Sequence, residues 1–297
     1  MKHLTDGTLT AIPGLEVGHW SDFTARTGCT VITVPENNVT TVEVRGAGPG
    51  TRETALLAPG MGVERVDAIV LTGGSALGLG TADGVAKALR ARGRGYTTPA
   101  GPIPIVPAAV IYDLLVGDPE AWPGPEAGKA ALAAATANPV ERGAVGAGTG
   151  ATVSKWRGVF NPSGLGSALV EVEDVKVGAL VVVNAVGDAF GIDGTPLTGG
   201  DHAPGLLQAP PGFGENTTLA VVATDAAVSR SELTRLAVRA QDALAACLRP
   251  SHTRLDGDTC FAVSCGDRTG LLENIAEGAF EAVGRAIEDA IDNAPHV

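Results

Sequence analysis

Two observations in the sequence predict an α/β protein. In the first third, the strand-like run Val66 to Leu71 enters the turn Thr72-Gly73-Gly74-Ser75, and a helix pattern follows through Ala82, Val85, Ala86 and Leu89. Strand, glycine turn and helix in that order mark an α/β chain. In the last third, two apolar runs each precede a long amphipathic stretch, Leu219–Ala223 being the first and Thr259–Ser264 the second. The 297 residues suit one large domain or two ordinary ones.

The elements follow in order. Cys29 to Val34 is a β-branched run stopped by Pro35, and Val39 to Val44 ends with the period-2 character of a half-buried strand. Thr51 to Leu57 reads as a short helix opened by Thr51. Pro99, Pro102, Pro104 and Pro107 exclude a regular helix or a central strand. A short apolar element, Ala108 to Leu115, comes next, and Pro119, Pro123 and Pro125 then mark a loop. Glu126 to Asn138 is Ala-rich and predicted helical. Four glycines in residues 143–150 are too many for a regular element. Strands resume at Ala168–Val172 and Val177–Val183. Residues 194–215, rich in Gly and Pro, are the best linker candidate. Ser229 with Glu232 fits a capping box. Behind it Leu233, Leu236, Ala237, Ala240, Leu244 and Cys247 share one helix face up to Pro250. Leu271 to Ile291 is a final amphipathic helix with Ile275, Ala279, Ala282, Val283 and Ile287 inward.

Composition bounds the function. A hydrophobic fraction of 44% supports a substantial core, and with 4% aromatics that core must be Ala, Val, Leu and Ile. A net charge of −12 argues against a nucleic-acid partner. The first residues lack the apolar region of a secretory signal, and no run of 18 apolar residues appears, so no membrane partner is expected. The four cysteines, Cys29, Cys247, Cys260 and Cys265, form no CxxC pair. Reduced thiols and a cytoplasmic location are the expectation.

The most informative stretch is Gly214-Glu215-Asn216-Thr217-Thr218-Leu219, a short loop ending in Asn before a buried strand that starts on a hydroxyl residue. Cleavage of the Asn216–Thr217 bond would give Thr217 a free α-amine of pKa about 7.7–8.0 beside its own hydroxyl. Threonine with its own N-terminal amine is an activated nucleophile. An Asn-Thr pair before a strand also serves as an ordinary turn. Asp256 and Asp258 flank Gly257, so one tight turn can project two carboxylates toward an ammonium group; an ordinary Asp-Gly turn reads the same way. Lys155 is either a solvated loop residue or a lysine entering a cleft, where desolvation lowers its pKa. Asn184 ends the buried run Val181–Val183, and its amide can serve as an oxyanion donor. Tyr112 is a core or pocket residue. The glycine clusters match no complete phosphate-binding pattern; tight packing explains them, with anion capture by backbone amides the alternative. No GxSxG occurs, and His252, Cys260 and Cys265 match no common zinc spacing.

Together these pieces resemble the autoprocessing aminopeptidase family typified by the L-aminopeptidase/D-esterase DmpA, which includes the nylon-oligomer hydrolases. The matching segments run in order along the chain: Ile12–His19, Val44–Gly46 with Pro49–Glu53, Leu71–Ala76, Val106–Asp113, Gly146–Thr152 with Lys155, Val181–Asn184, Asn216–Leu219, and His252-Thr253 with Asp256–Thr259. The contexts Thr149–Thr152 and Asn184-Ala185 are those of the family at large rather than of its nylon-oligomer branch.

The resemblance implies two β-sheets packed face to face between helical layers, an αββα sandwich related to the N-terminal-nucleophile hydrolases. It implies one domain over residues 1–297, cut into an α chain 1–216 and a β chain 217–297 that assemble as a tetramer of processed units. Thr217 matches the nucleophile, and Asp256 and Asp258 match the acidic pair that orients it. Lys155 and Asn184 match pocket residues, Asn184 being the oxyanion donor, and Tyr112 matches a pocket-lining tyrosine. No metal or organic cofactor is implied. The activity implied is hydrolysis of small peptides, amino-acid amides or short oligoamides through an acyl-enzyme. Acyl transfer of the ornithine acetyltransferase type, and a non-catalytic binding protein on the same fold, are the alternatives.

Overall fold

A computed structural model describes residues 1–208 and 215–295. Gly214 and part of the 194–215 segment therefore lie outside the described residues. The labelled elements are β1 (Glu16–Asp22), β2 (Thr27–Thr33), β3 (Val39–Val44), β4 (Thr51–Arg52), β5 (Ala68–Thr72), α1 (Thr81–Ala91), β6 (Ala108–Val110), α2 (Pro125–Ala133), β7 (Leu165–Val172), β8 (Val175–Asn184), β9 (Thr217–Ala226), α3 (Arg230–Cys247), β10 (Thr259–Arg268) and α4 (Leu272–Asp292).

Two sheets form the centre. The first runs β7–β8–β9–β10–β3, with Lys2–His3 added at the β7 edge; the second runs β1–β2–β5–β6–β4. Alternation along the first sheet sorts its side chains by face. Leu180, Val182, Leu219, Val221, Phe261 and Val263 face the second sheet and pack with Ile32, Ile69 and Leu71. Val181, Val183, Ala220, Val222, Cys260 and Ala262 face α3 and α4. On the far side, Val31, Val70 and Ala108 carry Val85, Leu89 and Leu132 of α1 and α2. The layers are therefore helix, sheet, sheet, helix. Because the inner strands are covered on both faces, they read in the sequence as continuous apolar runs.

Most elements stand where the sequence predicts them. The capping box of α3 is present, with the Ser229 N–H donating to Glu232 at 3.1 Å. Three elements differ. Thr51–Leu57 is not one helix: Thr51 and Arg52 pair with Ala109 and Ala108, and only Thr54–Leu57 coil, as a 3-10 turn. The helix expected to reach Asn138 ends at Ala133, because Thr136 exchanges two backbone hydrogen bonds with Val17 at the edge of β1. Sheet pairing there outweighs the helical preference of an alanine run. Residues 194–208 do not behave as a linker: Leu197 bonds the Ala189 carbonyl, Thr198 accepts from Arg157, and Gln208 bonds Trp156. The glycine clusters serve close approach. A Cβ on Gly46 would lie 2.3 Å from the Asp256 carbonyl oxygen and from the Asp258 nitrogen.

The interlayer core makes a direct prediction. Phe261 is fully buried between the sheets. Phe261→Ala is expected to lower stability by about 3–5 kcal/mol, read from the urea midpoint at an unchanged m-value.

Candidate active site

Strand direction assembles the site. β9 and β10 are parallel, with Leu219 opposite Thr259, so both strands begin at the same end of the sheet. β8 is antiparallel to β9 and ends there, Asn184 lying opposite Thr217. Both residues share the face that looks toward the second sheet, since alternation places them with Val182 and Leu219. The second sheet contributes Tyr112 and Asp113, just beyond β6.

Thr217 is buried at the head of β9, and its hydroxyl donates to the carbonyl oxygen of Asn216 at 2.6 Å. The same oxygen accepts the Gly257 N–H at 2.7 Å, while the Asn216 N–H donates to the Leu255 carbonyl at 2.7 Å. The Asn216–Thr217 peptide is thus held by its carbonyl and by the amide before it.

The carboxylates of Asp256 and Asp258 diverge from their shared turn. Asp256 accepts the Thr253 N–H at 2.9 Å and the Thr253 hydroxyl at 2.6 Å. Asp258 accepts the Thr218 N–H at 2.7 Å and the His252 N–H at 3.0 Å. Burial, and then the neighbouring Asp256, push the Asp258 carboxyl up to about 7 against the pull of those two N–H groups.

Lys155 is buried, which settles its two sequence readings in favour of the cleft. Ser154 before it takes a left-handed conformation, φ 72°, that turns the chain inward. The Lys155 ammonium donates to the Thr152 carbonyl at 2.9 Å, the Asn184 carbonyl at 3.1 Å and the Asn184 Oδ1 at 2.8 Å. Burial brings its pKa down to about 7, opposed by the charges of Asp256 and Asp113. Asn184 Oδ1 also accepts the Thr152 N–H at 3.1 Å. Two donors on one end fix the amide's orientation and aim Nδ2 at the Tyr112 carbonyl, 3.1 Å away. Tyr112, Leu115, Val116, Lys155, Phe160, Glu215 and Asn216 line a small cleft. Burial and the Glu215 carboxylate raise the Tyr112 phenol.

All seven residues singled out from the sequence (Tyr112, Lys155, Asn184, Asn216, Thr217, Asp256 and Asp258) lie at this end of the two sheets. Sequence reasoning missed others. Gly257 supplies an N–H, and a Cβ there would sit 2.7 Å from the Thr217 hydroxyl; its place between two aspartates was the available signal. Asp113 is a buried carboxylate that takes the Thr27 hydroxyl and the Gly74 N–H, both at 2.7 Å. Its partners are too distant in sequence to flag it. Gln241, buried on α3, bonds His252 at 2.9 Å. Among the described residues, no three His, Cys, Asp or Glu side chains converge as metal ligands do, and no helix is long and apolar enough to cross a membrane.

Sheet packed on sheet between helical layers is the layering of the N-terminal-nucleophile hydrolase fold. The chain belongs to peptidase family S58, whose family model matches residues 7–296. It is 38% identical to an uncharacterized aminopeptidase of Mycobacterium leprae, over 96% of this chain and 90% of that protein. It is 32% identical to a 6-aminohexanoate-oligomer endohydrolase of an Agromyces species, over 85% of this chain and 73% of that one. The fold matches the L-aminopeptidase D-Ala-esterase/amidase of Ochrobactrum anthropi with a TM-score of 0.77 at 21% identity, covering 97% of this chain and 86% of that one. The PH0078 protein of Pyrococcus horikoshii matches with a TM-score of 0.77 at 24% identity, covering 100% and 89%. The enzyme is thus an amidohydrolase of the peptidase type.

Lys155 gives the site a pH signature. Unfolded, it holds its proton to about pH 10.4; folded, it releases it near pH 7. Between these values the unfolded chain binds more protons, so this residue makes stability rise with pH, by at most ~1.4 kcal/mol per pH unit. Lys155→Met is expected to lose that rise, measured by urea titration at pH 7 and about pH 9.5.

Proposed function

We propose that this enzyme cuts its own chain between Asn216 and Thr217 and then hydrolyses small amides with Thr217 as the nucleophile. The observation that carries the reading is the doubly bonded Asn216 carbonyl oxygen, which takes the Thr217 hydroxyl at 2.6 Å and the Gly257 N–H at 2.7 Å. In the first reaction the Thr217 oxygen attacks the Asn216 carbonyl carbon. The Gly257 N–H steadies the negative charge on the carbonyl oxygen. The Asn216–Thr217 C–N bond breaks as the hydroxyl proton passes to the departing nitrogen, an ester forms, and the α-amine of Thr217 is released. Water then hydrolyses the ester, leaving Asn216 as a carboxylate and Thr217 as a new N-terminus.

In the second reaction the free amine takes the hydroxyl proton, directly or through a water. The alkoxide attacks the substrate amide, the amine product leaves with a proton, and water resolves the acyl-enzyme. Asn184 donates an Nδ2–H to the oxyanion. Lys155 holds that amide in place by bonding its Oδ1, and near pH 7 it exists in both protonation states. Asp258, bonded to the Thr218 N–H, and Asp256 orient the ammonium of Thr217. Tyr112 forms one wall of the substrate cleft. Leu115, Val116 and Phe160 make the cleft largely apolar, which suits short peptides, amino-acid amides and oligoamides. Activity on 6-aminohexanoate oligomers is part of the proposal, supported by the named activity of the Agromyces relative. So are a tetramer of processed units and a cytoplasmic location; light scattering after size exclusion tests the first and cell fractionation the second.

The test is an intact mass spectrum under denaturing conditions, before and after long incubation. The 29.8 kDa chain is expected to convert into chains of 216 and 81 residues. Thr217→Ala should remain whole and lose amide hydrolysis by more than about 10³-fold, on the scale of nucleophile removal, whereas Thr217→Ser should still process. Cleavage or full activity in Thr217→Ala would sink the reading.

A further inference from the structure

His252 lies outside the cleft-lining set, yet it touches the side chain that bonds the strand beside Thr217. Its backbone N–H donates to Asp258 Oδ2 at 3.0 Å, and its ring Nε2 lies 3.7 Å from the same oxygen. To make this contact it adopts a left-handed backbone, φ 53°, which non-glycine residues rarely occupy outside sites that require it. The Asp258 side chain is 1% exposed and the His252 ring 18%.

Gln241 fixes the state of the ring. Its Nε2 meets two carbonyl oxygens, that of Glu43 at 2.9 Å and that of Asp258 at 3.4 Å. Neither can donate, so the nitrogen end of the amide must point to them. The Oε1 end is left facing His252 Nε2 at 2.9 Å, and an oxygen there requires Nε2 to carry a proton. The neutral ring is therefore the Nε2–H tautomer, and a second proton goes onto Nδ1. Burial and the Arg45 charge disfavour that second proton, while Asp256 and Asp242 favour it. Arg45 is itself shared between Glu43 at 3.1 Å and Asp242 at 3.7 Å, and Arg239 bonds Asp242 at 2.8 Å. The surrounding charges are thus largely paired among themselves.

We propose that His252, locked by Gln241, is a positioning residue for Asp258: its backbone N–H pins the carboxylate against the Thr218 N–H, and its neutral ring is held within ion-pair range of that carboxylate, where a positive charge placed on it would favour the ionised form. The proposal rests on the reading of Asp258 as a partner of Thr217. Its test is therefore built to report on Asp258 directly as well as through activity.

The first measurement uses the unaltered protein. Long-range ¹H–¹⁵N spectra of the histidine rings are expected to show His252 at pH 7 as the neutral Nε2–H form; an Nδ1–H form would overturn the proposal. The second follows the ¹³C carboxyl signal of Asp258, assigned with Asp258→Asn, against pH. The unaltered protein should titrate near 7. Gln241→Glu places an anion on the ring and stabilises its cation. A cation in ion-pair range of the carboxylate should lower the Asp258 midpoint by about one unit or more. In Gln241→Glu with His252→Gln the ring is gone, and the new anion should raise the midpoint instead. A midpoint that rises or stays fixed in Gln241→Glu alone, or that falls in both variants, overturns the proposal. If the carboxyl titration moves as expected while the acidic limb of kcat/KM does not, His252 keeps its role and the catalytic reading of Asp258 fails.

Discussion

One parallel pairing organises the molecule. In a sheet that is otherwise antiparallel, β9 and β10 run side by side in the same direction. A hairpin cannot join parallel neighbours, and the chain crosses from one to the other through α3. That crossover puts two strand beginnings at one end of the sheet. Asn216-Thr217 comes in on one strand and Asp256-Gly257-Asp258 on the next, and a backbone bridge between Asn216 and Asp256 extends the ladder past the last regular pair. Had β10 been antiparallel to β9, the aspartates would lie at the opposite end of the sheet, the length of a strand away.

Burial of charge is the second constraint, and it follows from the first. The convergence of strand ends between two sheets excludes water from Lys155, Asp113, Asp256 and Asp258, each no more than 4% exposed. Lysine and aspartate respond to desolvation in opposite directions, the one losing its proton more readily and the other holding it. Their mutual attraction and the backbone N–H groups around the carboxylates limit the drift. Lys155 and Asp258 consequently both fall near neutrality. Groups that exchange protons near pH 7 suit acid–base work. Elsewhere, burial in the packed cores leaves the four cysteines as free thiols with raised pKa values.

What the sequence conveyed follows from the range of the forces involved. Strands buried on both faces announce themselves as unbroken apolar runs, so Val177–Val183 and the strand opening near Thr217 were legible. Short elements were not: Thr51–Leu57 has helical composition, yet Thr51 and Arg52 are taken by Ala109 and Ala108 from far along the chain. Within the site, Thr217, Asp256 and Asp258 stand out because each sits at a strand head. The two readings of Lys155 could not be separated until its oxygen partners were placed. Gln241 and Asp113 carry no local signal at all. Their significance comes from a helix face and a loop that meet the site only in three dimensions.

The same ladder explains why a cut before Thr217 would leave the fold intact. β9 begins at Thr217, so the break falls at the end of the regular strand, and the bonds that Asn216 makes to Leu255 and Gly257 do not run through the severed C–N bond. Residues 217–224 pair with Asn184 back to Val177, and Thr259 to Ser264 pair with Val44 back to Val39. The C-terminal segment thus supplies the two middle strands of a sheet whose outer strands belong to the N-terminal segment, and α3 and α4 cover both. Separation would expose Val181, Val222, Phe261 and their neighbours to water on both faces of the sheet, a loss that grows by about 25 cal/mol for each Å² of apolar surface. The anchors of the scissile peptide divide in the same way. Asn216 is held through Leu255 and Gly257, and Thr217 through its strand. After a break, therefore, the new amine would emerge beside the Thr218–Asp258 bond, with no rearrangement of the sheet required to bring it there.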